Sequence, residues 1–302
     1  MTDHSDSDDG AARGSRAEWW QDRALRGLIA TMNRLPYPTR VATMGRLVAH
    51  AVGPLAGYRQ RAMTQLGTIH PDMDKAARRA LAIAVCDNFG RTLIENYANR
   101  DLARQLRDTQ ATGDGLVPLA EARAQGRPVI FVTGHFGNFE APRHILTRDG
   151  LTIGGLYRPM ANAFVDSHYR KTMTSWGGPV FAQGSRGTMG FARHIKSGGM
   201  GTLLFDVHVS RAPAISFMGR PALTSLAAAE MALRFDALLI PYFGIRQPDG
   251  LSFDVVVEAP IEPGDPLTMM TEATRRLEAR VNAHPEQWFW VHRRWKAPPT
   301  AA

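Results

Sequence analysis

From about residue 115 onward, short apolar runs rich in strand-forming residues alternate with segments of helical periodicity, and this alternation limits the available folds more than any other feature. Five runs are predicted to be strands, at residues 128–133, 151–156, 201–205, 237–243 and 252–257. Five further segments are predicted to be helices, at residues 138–148, 163–176, 187–197, 223–235 and 268–283. Strands that alternate with helices favour a mostly parallel sheet whose faces are covered by helices. Residues 113–302 are therefore predicted to form an α/β core.

A helical segment, predicted over residues 17–112, precedes this core. Between residues 17 and 70, seven arginines stand against two acidic residues, and apolar side chains recur at spacings of three and four. This combination is typical of amphipathic helices that lie in the headgroup layer of a membrane, although a helical cap packed on the core would have the same pattern. We expect the membrane-surface role. Residues 73–98 have a second strong helical pattern, which we expect to face the core.

Charge and composition narrow the choice of partners. The net charge is +8, although residues 1–16 are acidic and polar and are predicted to be a disordered tail. Such an excess of positive charge favours an anionic membrane, a nucleic acid or an acidic carrier protein. The single cysteine, Cys86, excludes an intrachain disulfide. No signal peptide is expected, because the chain opens with acidic and small polar residues. No membrane-spanning helix is expected either, because the longest uncharged stretch near the start, residues 47–58, is shorter than the roughly 20 apolar residues that a span needs.

The most informative short segment is residues 133–140, with the sequence TGHFGNFE, between a predicted strand and a predicted helix. His135 lies at the carboxyl end of the strand, where α/β sheets place their ligands, and between two glycines that permit a tight turn. Glu140 can meet His135 only if the histidine lies in the turn and the glutamate in the first turn of the helix. A carboxylate bonded to one ring nitrogen would leave the other nitrogen as a base.

This pair has no protein nucleophile beside it in the motif, which suits direct deprotonation of an acceptor hydroxyl that then attacks an activated acyl group. The alternative is that His135 is a packed turn residue and that Glu140 is a first-turn acid favoured by the helix dipole. The setting of strand, glycines and helix gives the catalytic interpretation about the same weight as that alternative.

The segment GHFGNFE resembles the H-x-x-x-x-[DE] motif of lysophospholipid-type acyltransferases, and the chain is similar to the bacterial lipid A biosynthesis lauroyl/myristoyl acyltransferases. Further segments resemble this family in its order: Leu35-Pro36-Tyr37, Tyr157-Arg158-Pro159 with Asn162, Phe217 to Ala222, Ile240-Pro241 with Arg246, and His284 through Trp288 to Lys296. The resemblance covers residues 25–296, and its closing stretch is more specific than the catalytic motif. It implies a glycerolipid acyltransferase-like α/β fold with an N-terminal amphipathic helical segment.

The resemblance also implies an activity and its partners. The expected enzyme is an O-acyltransferase that moves a fatty acyl chain from acyl carrier protein or acyl-CoA to a hydroxyl of a lipid A precursor or a related lipid. His135 would be the general base and Glu140 its orienter, with no metal or organic cofactor. The implied partners are acyl carrier protein, an anionic membrane surface and the lipid acceptor, without nucleic acid. The implied location is the cytoplasmic face of the bacterial inner membrane, with peripheral or monotopic attachment.

The predicted substrate-binding residues are Arg158, Asp206, Asn138 and Gly137. Arg158 follows a predicted strand and is permanently charged, which suits a developing oxyanion or a lipid phosphate, although a surface ion pair is the alternative. Asp206 also follows a predicted strand, at a place where the family has an acid. The family usually has Gln after that acid, whereas this chain has Val207 and His208, so Asp206 is either a site residue or a structural one. A metal site on Asp206 and His208 is disfavoured, because no third ligand is apparent.

Two other function classes stay open at this point. A lipid hydrolase or thioesterase would use a serine nucleophile, but residues 183–187 (QGSRG) lack the G-x-S-x-G form. A non-catalytic membrane- or nucleic-acid-binding module would account for the charge, although no nucleic-acid motif is present. The closing aromatic and basic stretch, residues 288–296, is either a lid packed on the core or a contact for lipid headgroups or an acidic carrier.

Overall fold

A seven-stranded sheet forms the centre of the protein, for which a computed structural model describes residues 15–296. The tail predicted over residues 1–16 falls, up to residue 14, outside the described residues. In chain order, the strands are β1 Ala111–Thr112, β2 Val129–Thr133, β3 Ile153–Tyr157, β4 Val180–Ala182, β5 Met200–Leu204, β6 Ala214–Phe217, β7 Arg220–Leu223, β8 Leu238–Arg246 and β9 Phe253–Val257. The order across the sheet is β1-β9-β8-β2-β5-β3-β4, and β6 and β7 form a separate hairpin.

The sheet is mostly parallel, as predicted. β2 pairs in parallel with both β5 and β8, and β3 pairs in parallel with β5 and β4. The one antiparallel pair of neighbours in this sheet is β8 with β9, and β1 runs parallel to β9 at the edge. Five parallel strands therefore end at one edge of the sheet, and the segments that leave them are brought together there.

Helices cover both faces of this sheet. Those of the core are α7 Leu116–Gln125, α8 Ala141–Arg148, α9 Ala163–Thr174, α10 Ser185–Lys196, α11 Ala227–Arg234 and α12 Pro266–Ala283. Those of the lead are α1 Arg16–Met32, α2 Tyr37–Leu47, a π-helical turn Val48–Val52, α3 Gly53–Leu55, α4 Tyr58–Ile69, α5 Lys75–Tyr97 and α6 Asn99–Gln105. Polar caps set the starts of two of the longest ones: the Asp74 carboxylate accepts from two backbone N–H groups of α5, and the Asp265 carboxylate accepts from one backbone N–H group of α12.

β2 is buried along its whole length, because it lies between two hydrophobic clusters. Its side chains alternate between the faces, as strand geometry requires. Ile130 and Val132 belong to the larger cluster, which α4, α5, α11 and α12 complete on one face. Val129 and Phe131 belong to a second cluster with α7 and the end of α8. The predicted α/β fold with covered faces is thus confirmed, with β2 at its centre.

The helical lead packs directly on the core. Ala82 and Val85 of α5 belong to the same hydrophobic cluster as Ile130 of β2. Ile29 of α1 joins residues of α2 and α5 in a smaller cluster, which attaches the first two helices. β1 adds an edge strand before the predicted boundary at residue 113. Within residues 15–296, no helix combines the length and the apolar character that crossing a membrane requires.

Candidate active site

His135 and Asp206 meet at the carboxyl edge of the sheet because β2 and β5 are parallel neighbours. Thr133, the last residue of β2, is paired with Leu204, the last residue of β5. The backbone N–H of Phe205 donates to the Thr133 carbonyl at 3.1 Å, which continues the pairing beyond the strands. Each of the two site residues lies two positions beyond its strand. A sequence separation of 71 residues is thereby reduced to a direct contact.

The two side chains form a hydrogen-bonded pair. The His135 Nδ1 atom lies 2.8 Å from Asp206 Oδ1, and the His135 backbone N–H donates to Oδ2 at 2.7 Å. The indole N–H of Trp288 also donates to Oδ2, at 2.9 Å. Asp206 has a fully buried side chain, whereas 27% of the His135 side chain is exposed. The carboxylate is thus enclosed on the protein side, and the histidine ring reaches the surface.

The electrostatics of this pair favour an ionised carboxylate. Burial alone would raise the pKa of Asp206, but the charge and hydrogen bonds of His135 outweigh it, so that this pKa lies below its ordinary value. An ionised Asp206 accepts a hydrogen bond from the Nδ1–H group of His135. In the neutral ring the lone pair is then on Nε2. This is the tautomer that a general base needs.

Two glycines are required for the loop that holds His135. A Cβ atom on Gly134 would lie 2.8 Å from a Leu277 methyl carbon and 3.0 Å from Asp206 Oδ2. Gly137 has a positive φ of 54°, and a Cβ there would lie 1.9 Å from the Gly244 carbonyl oxygen. Any larger residue would push the loop away from Asp206 or from β8, so the glycines of the motif have a steric reason.

Three aromatic rings lie close to the ring of His135. Its ring centroid lies 5.4 Å from that of Phe139, 6.3 Å from that of Phe289 and 4.7 Å from that of His292. Burial and the neighbouring His135 lower the pKa of His292 to about 4, so His292 is uncharged at neutral pH. The His135 ring therefore lies beside aromatic side chains and next to a neutral second imidazole.

The hydrogen bond expected between His135 and Glu140 is not formed, and this prediction needs correction: in the described structure the partner of Nδ1 is Asp206. Glu140 precedes α8 and is buried, with Oε2 3.6 Å from Nη1 of Arg143. Burial raises the pKa of Glu140 to about 7, against the opposing charge of Arg143. The Glu140 carboxylate lies beside Arg143 of α8, whereas the His135 ring is bonded to Asp206. A sequence signal for the true partner existed, since Asp206 follows a strand as directly as His135 does.

The other predicted site residues lie in different surroundings. Asn138 is fully buried, and its amide side chain bonds to Glu95 and to the Glu140 backbone N–H. The Gly137 carbonyl accepts from the Thr92 hydroxyl at 2.8 Å. Arg158 is exposed just beyond β3, at the same edge of the sheet as His135. Of the four predicted substrate-binding residues, Asp206 is the one that contacts the histidine.

The closing stretch 288–296 is largely packed on the core. Trp288 and Trp290 are fully buried. Arg294 is also buried, and its guanidinium donates to the carbonyls of Val207 and Leu223 and to the hydroxyl of Thr224. These contacts fit the interpretation of this stretch as a lid packed on the core. No group of three or more metal-ligating side chains is found among residues 15–296, so Asp206 and His208 acquire no third ligand there.

Comparison with a family model gives a match over nearly the whole chain. Residues 16–297 match the model of the family described as bacterial lipid A biosynthesis acyltransferase. The matched range contains His135, Asp206 and the complete helical lead.

Individual relatives are similar at low identity. A lipid A biosynthesis acyltransferase of Haemophilus influenzae is 25% identical over 180 residues, which cover 59% of this chain and 56% of that protein. A lipid A biosynthesis lauroyltransferase of Escherichia coli is 24% identical over 293 residues, with 90% of each chain covered. Lipid A biosynthesis acyltransferase 2 of Shigella flexneri is 22% identical over 286 residues, with 90% of this chain and 88% of that protein covered.

Proposed function

Because the chain belongs to the bacterial lipid A biosynthesis acyltransferase family, we propose that it transfers a fatty acyl chain from a thioester donor to a hydroxyl of a lipid A precursor or a related lipid. The observation that carries the proposal is the pair of the partly exposed His135 and the buried Asp206 at the carboxyl edge of the sheet. This edge is where open α/β sheets bind their ligands. An oriented base without an adjacent nucleophile suits a reaction in which the acceptor itself attacks.

The first step is removal of the acceptor proton. The hydroxyl group donates to Nε2 of His135, and its proton moves to that nitrogen as the oxygen approaches the thioester carbonyl. His135 then carries a positive charge, which the ionised Asp206 stabilises at 2.8 Å. Because Asp206 is shielded from water and bonded to Trp288, its charge is screened less than an exposed carboxylate would be.

In the second step, the tetrahedral intermediate forms and then collapses. It forms when the acceptor oxygen makes the new C–O bond and the carbonyl oxygen becomes an oxyanion, for which we propose Arg158 or backbone N–H groups as stabilising contacts. The C–S bond breaks when the oxyanion re-forms the carbonyl. The thiolate takes the proton from Nε2, so the products are the ester and a free thiol, and His135 is neutral again.

Charge supports an acidic donor and an anionic surface as partners. The net charge of +8 would attract acyl carrier protein, with acyl-CoA as the alternative donor, and would also attract an anionic membrane. We propose peripheral attachment at the cytoplasmic face of the inner membrane, where the lipid acceptor would be available. The exposed Trp20 of α1 and Leu55 of α3 are apolar contacts that such an attachment could use.

The test is acyl transfer by His135→Ala. Purified protein is mixed with acyl-carrier or acyl-CoA donors and with lipid A precursors or lysophospholipids, and the products are read by mass spectrometry. We expect the variant to lose acyl transfer by at least about 10²-fold, because the base is absent. Circular dichroism and vesicle binding should be unchanged.

A matched histidine control is available on α10. The ring of His194 bonds to the carbonyl of Met200, at the amino end of β5 and therefore at the opposite edge of the sheet. His194→Ala should retain acyl transfer per folded molecule. Full activity of His135→Ala would reject the mechanism, and equal losses in both variants would reject a specific role for His135.

A further inference from the structure

A buried ion pair lies beneath the catalytic loop, and it connects the helical lead to the end of β8. Glu95 is on α5 and is fully buried, and Arg246 is the last residue of β8 and is almost fully buried. We propose that Glu95 and Arg246 are positioning residues, which fix the loop 134–140 so that His135 meets both Asp206 and the acceptor hydroxyl. This inference rests on the proposed function of His135.

The pair has an ordered, two-pronged geometry. Arg246 Nη1 lies 2.5 Å from Glu95 Oε1, and Nη2 lies 2.7 Å from Oε2. The remaining guanidinium hydrogen bonds are with α5 and the turn after β8: Nε donates to Asn88 Oδ1 at 2.8 Å, Nη2 to Thr92 Oγ1 at 3.0 Å, and Nη1 to the Gly250 carbonyl at 3.0 Å. A planar fork held at all three nitrogens cannot rotate or shift without losing several bonds.

The same groups of α5 hold the loop. Glu95 Oε2 accepts from the Asn138 side-chain amide at 2.9 Å, and the Thr92 hydroxyl donates to the Gly137 carbonyl at 2.8 Å. Glu95 and Thr92 therefore contact Arg246 on one side and two loop residues on the other. His135 is two residues away from Gly137, and its own N–H is bound to Asp206.

The main chain of Arg246 forms a second connection to the loop through Gln287. Its N–H donates to Gln287 Oε1 at 2.8 Å, and its carbonyl accepts from Gln287 Nε2 at 2.7 Å. The Gln287 carbonyl in turn accepts from the Gly137 N–H at 2.9 Å. The loop 134–140 is thus held between the lead, the central sheet and the turn before Trp288. The indole of Trp288 also donates to Asp206.

An ion pair in such a place is not explained by stability alone. Removing two charges from water costs much of what their attraction returns, and apolar residues of similar volume often serve stability as well or better. What an apolar pair could not supply is a fixed acceptor for the Asn138 amide. A polar network whose members are all bonded specifies one arrangement of the groups it contains, here the loop that holds the base.

The first test is Glu95→Gln, which keeps the shape but removes the charge that Arg246 and Asn138 both contact. We expect kcat to fall by about 10²-fold, the scale of a small misplacement of a catalytic group. KM should change by less than about threefold, because no contact with substrate is lost. Hydrogen exchange of residues 134–140 should become faster, and the rate at which diethyl pyrocarbonate modifies His135 should change.

The second test moves the negative charge from residue 95 to residue 138, its hydrogen-bond partner. Asn138→Asp alone places two carboxylates against each other and should also lose activity. In Glu95→Gln/Asn138→Asp, the new amide can donate to the new carboxylate, and Arg246 again faces a single negative charge. We expect this double variant to recover at least about tenfold in kcat over either single variant, since contacting residues couple strongly. If Glu95→Gln does not fold, Arg246→Lys, which keeps the charge but loses the fork, replaces it in the kinetic comparison.

The control for a merely structural effect is Leu119→Ala. Leu119 is buried on α7 in the cluster on the other face of the sheet, so its loss should lower stability while leaving kcat per folded molecule unchanged. The proposal is overturned if Glu95→Gln and Leu119→Ala behave alike, or if the double variant recovers nothing. If the loop responds as expected but His135→Ala still transfers acyl chains at the full rate, the proposed function fails instead.

Discussion

Asp206 holds a negative charge against His135, and in the proposed reaction this charge matters more than the shape of the side chain. Asp206→Asn keeps the size of the residue but removes the charge that stabilises protonated His135. We expect kcat to fall by about 10²- to 10⁴-fold, the range for loss of an acid–base group or of its partner. KM should change much less. Steady-state kinetics with an acyl donor and a lipid acceptor measure both quantities.

Glu140→Gln is the matched comparison for this variant, because both exchanges replace a buried carboxylate near His135 by its amide. Only Asp206 is bonded to the ring, so Glu140→Gln should cost less in kcat. The opposite ranking would mean that Glu140 moves onto His135 when substrate binds.

Glu140 should also make folding stability depend on pH. Burial raises its pKa from 4.5 to about 7, so the folded protein favours the protonated form more than the unfolded chain does. The stability that this provides is complete below about pH 4.5 and is lost as the pH rises through 7. Gln cannot ionise, so the stability advantage of the wild type over Glu140→Gln should shrink by roughly 3 kcal/mol at most between pH 4.5 and pH 8. Urea unfolding of both proteins at the two pH values measures it.

Glu272→Gln is the control for that titration. Hydrogen bonds and charge from Arg275 and Arg276 lower the pKa of Glu272 to about 2, against the opposing effect of its partial burial, so it is ionised at both pH values. Its difference from the wild type should change by less than about 0.5 kcal/mol between pH 4.5 and pH 8, because only the unfolded chain begins to bind a proton at the lower end of this range. An equally small change for Glu140→Gln would show that the pKa of Glu140 is not raised in the folded protein.

At the scale of elements, the strands that position the site could be predicted from the sequence, but their order could not. The apolar run at 128–133 predicts β2 to within one residue, because a fully buried strand has a continuous apolar run. The run at 201–205 predicts β5 equally well. That these two strands are neighbours depends on how the helices pack on both faces, which no local pattern contains. For this reason the position of His135 could be predicted, but its partner was assigned to Glu140 instead of Asp206.

Short strands and an unusual turn explain why β1, β4, β6 and β7 were not predicted from the sequence. β1 and β4 have two and three residues, which is too little to form a recognisable run. The hairpin of β6 and β7 turns at Met218 and Gly219, both with positive φ, of 53° and 72°. Because the first of these positions is a methionine and not Gly, Asn or Asp, the sequence does not predict the turn. Its N–H is held by the Glu278 carboxylate of α12 at 2.8 Å, so a distant helix supports the strained backbone.

At the scale of the whole molecule, charge and exposed apolar side chains are unevenly distributed. Residues 17–70 contain seven arginines and two acidic residues. Some of these arginines are paired with acidic side chains: Arg23 and Arg26 pair with the buried Asp22, and Arg40 pairs with Asp101. The same segment has the most exposed large apolar side chain of residues 15–296, Leu55 at 90%, and also Trp20 at 65%. A surface that combines free cations with such side chains is suited to the headgroup layer of an anionic bilayer.

Vesicle binding by Leu55→Ala and Trp20→Ala tests this attachment without disturbing the buried face of the lead. Deleting residues 17–60 would be less informative, because Val41, Met44 and Val48 belong to the core. We expect each variant to bind vesicles that contain anionic lipid about 30-fold more weakly, since a buried side chain of this size contributes about 2 kcal/mol. High salt should weaken binding of the wild type and of both variants alike, because it screens charges but not apolar contacts. Val117→Ala, which removes a side chain 67% exposed on α7 outside the lead, should bind as the wild type does. A loss as large for Val117→Ala, or none for Leu55→Ala and Trp20→Ala, would show that the lead does not insert into the membrane surface.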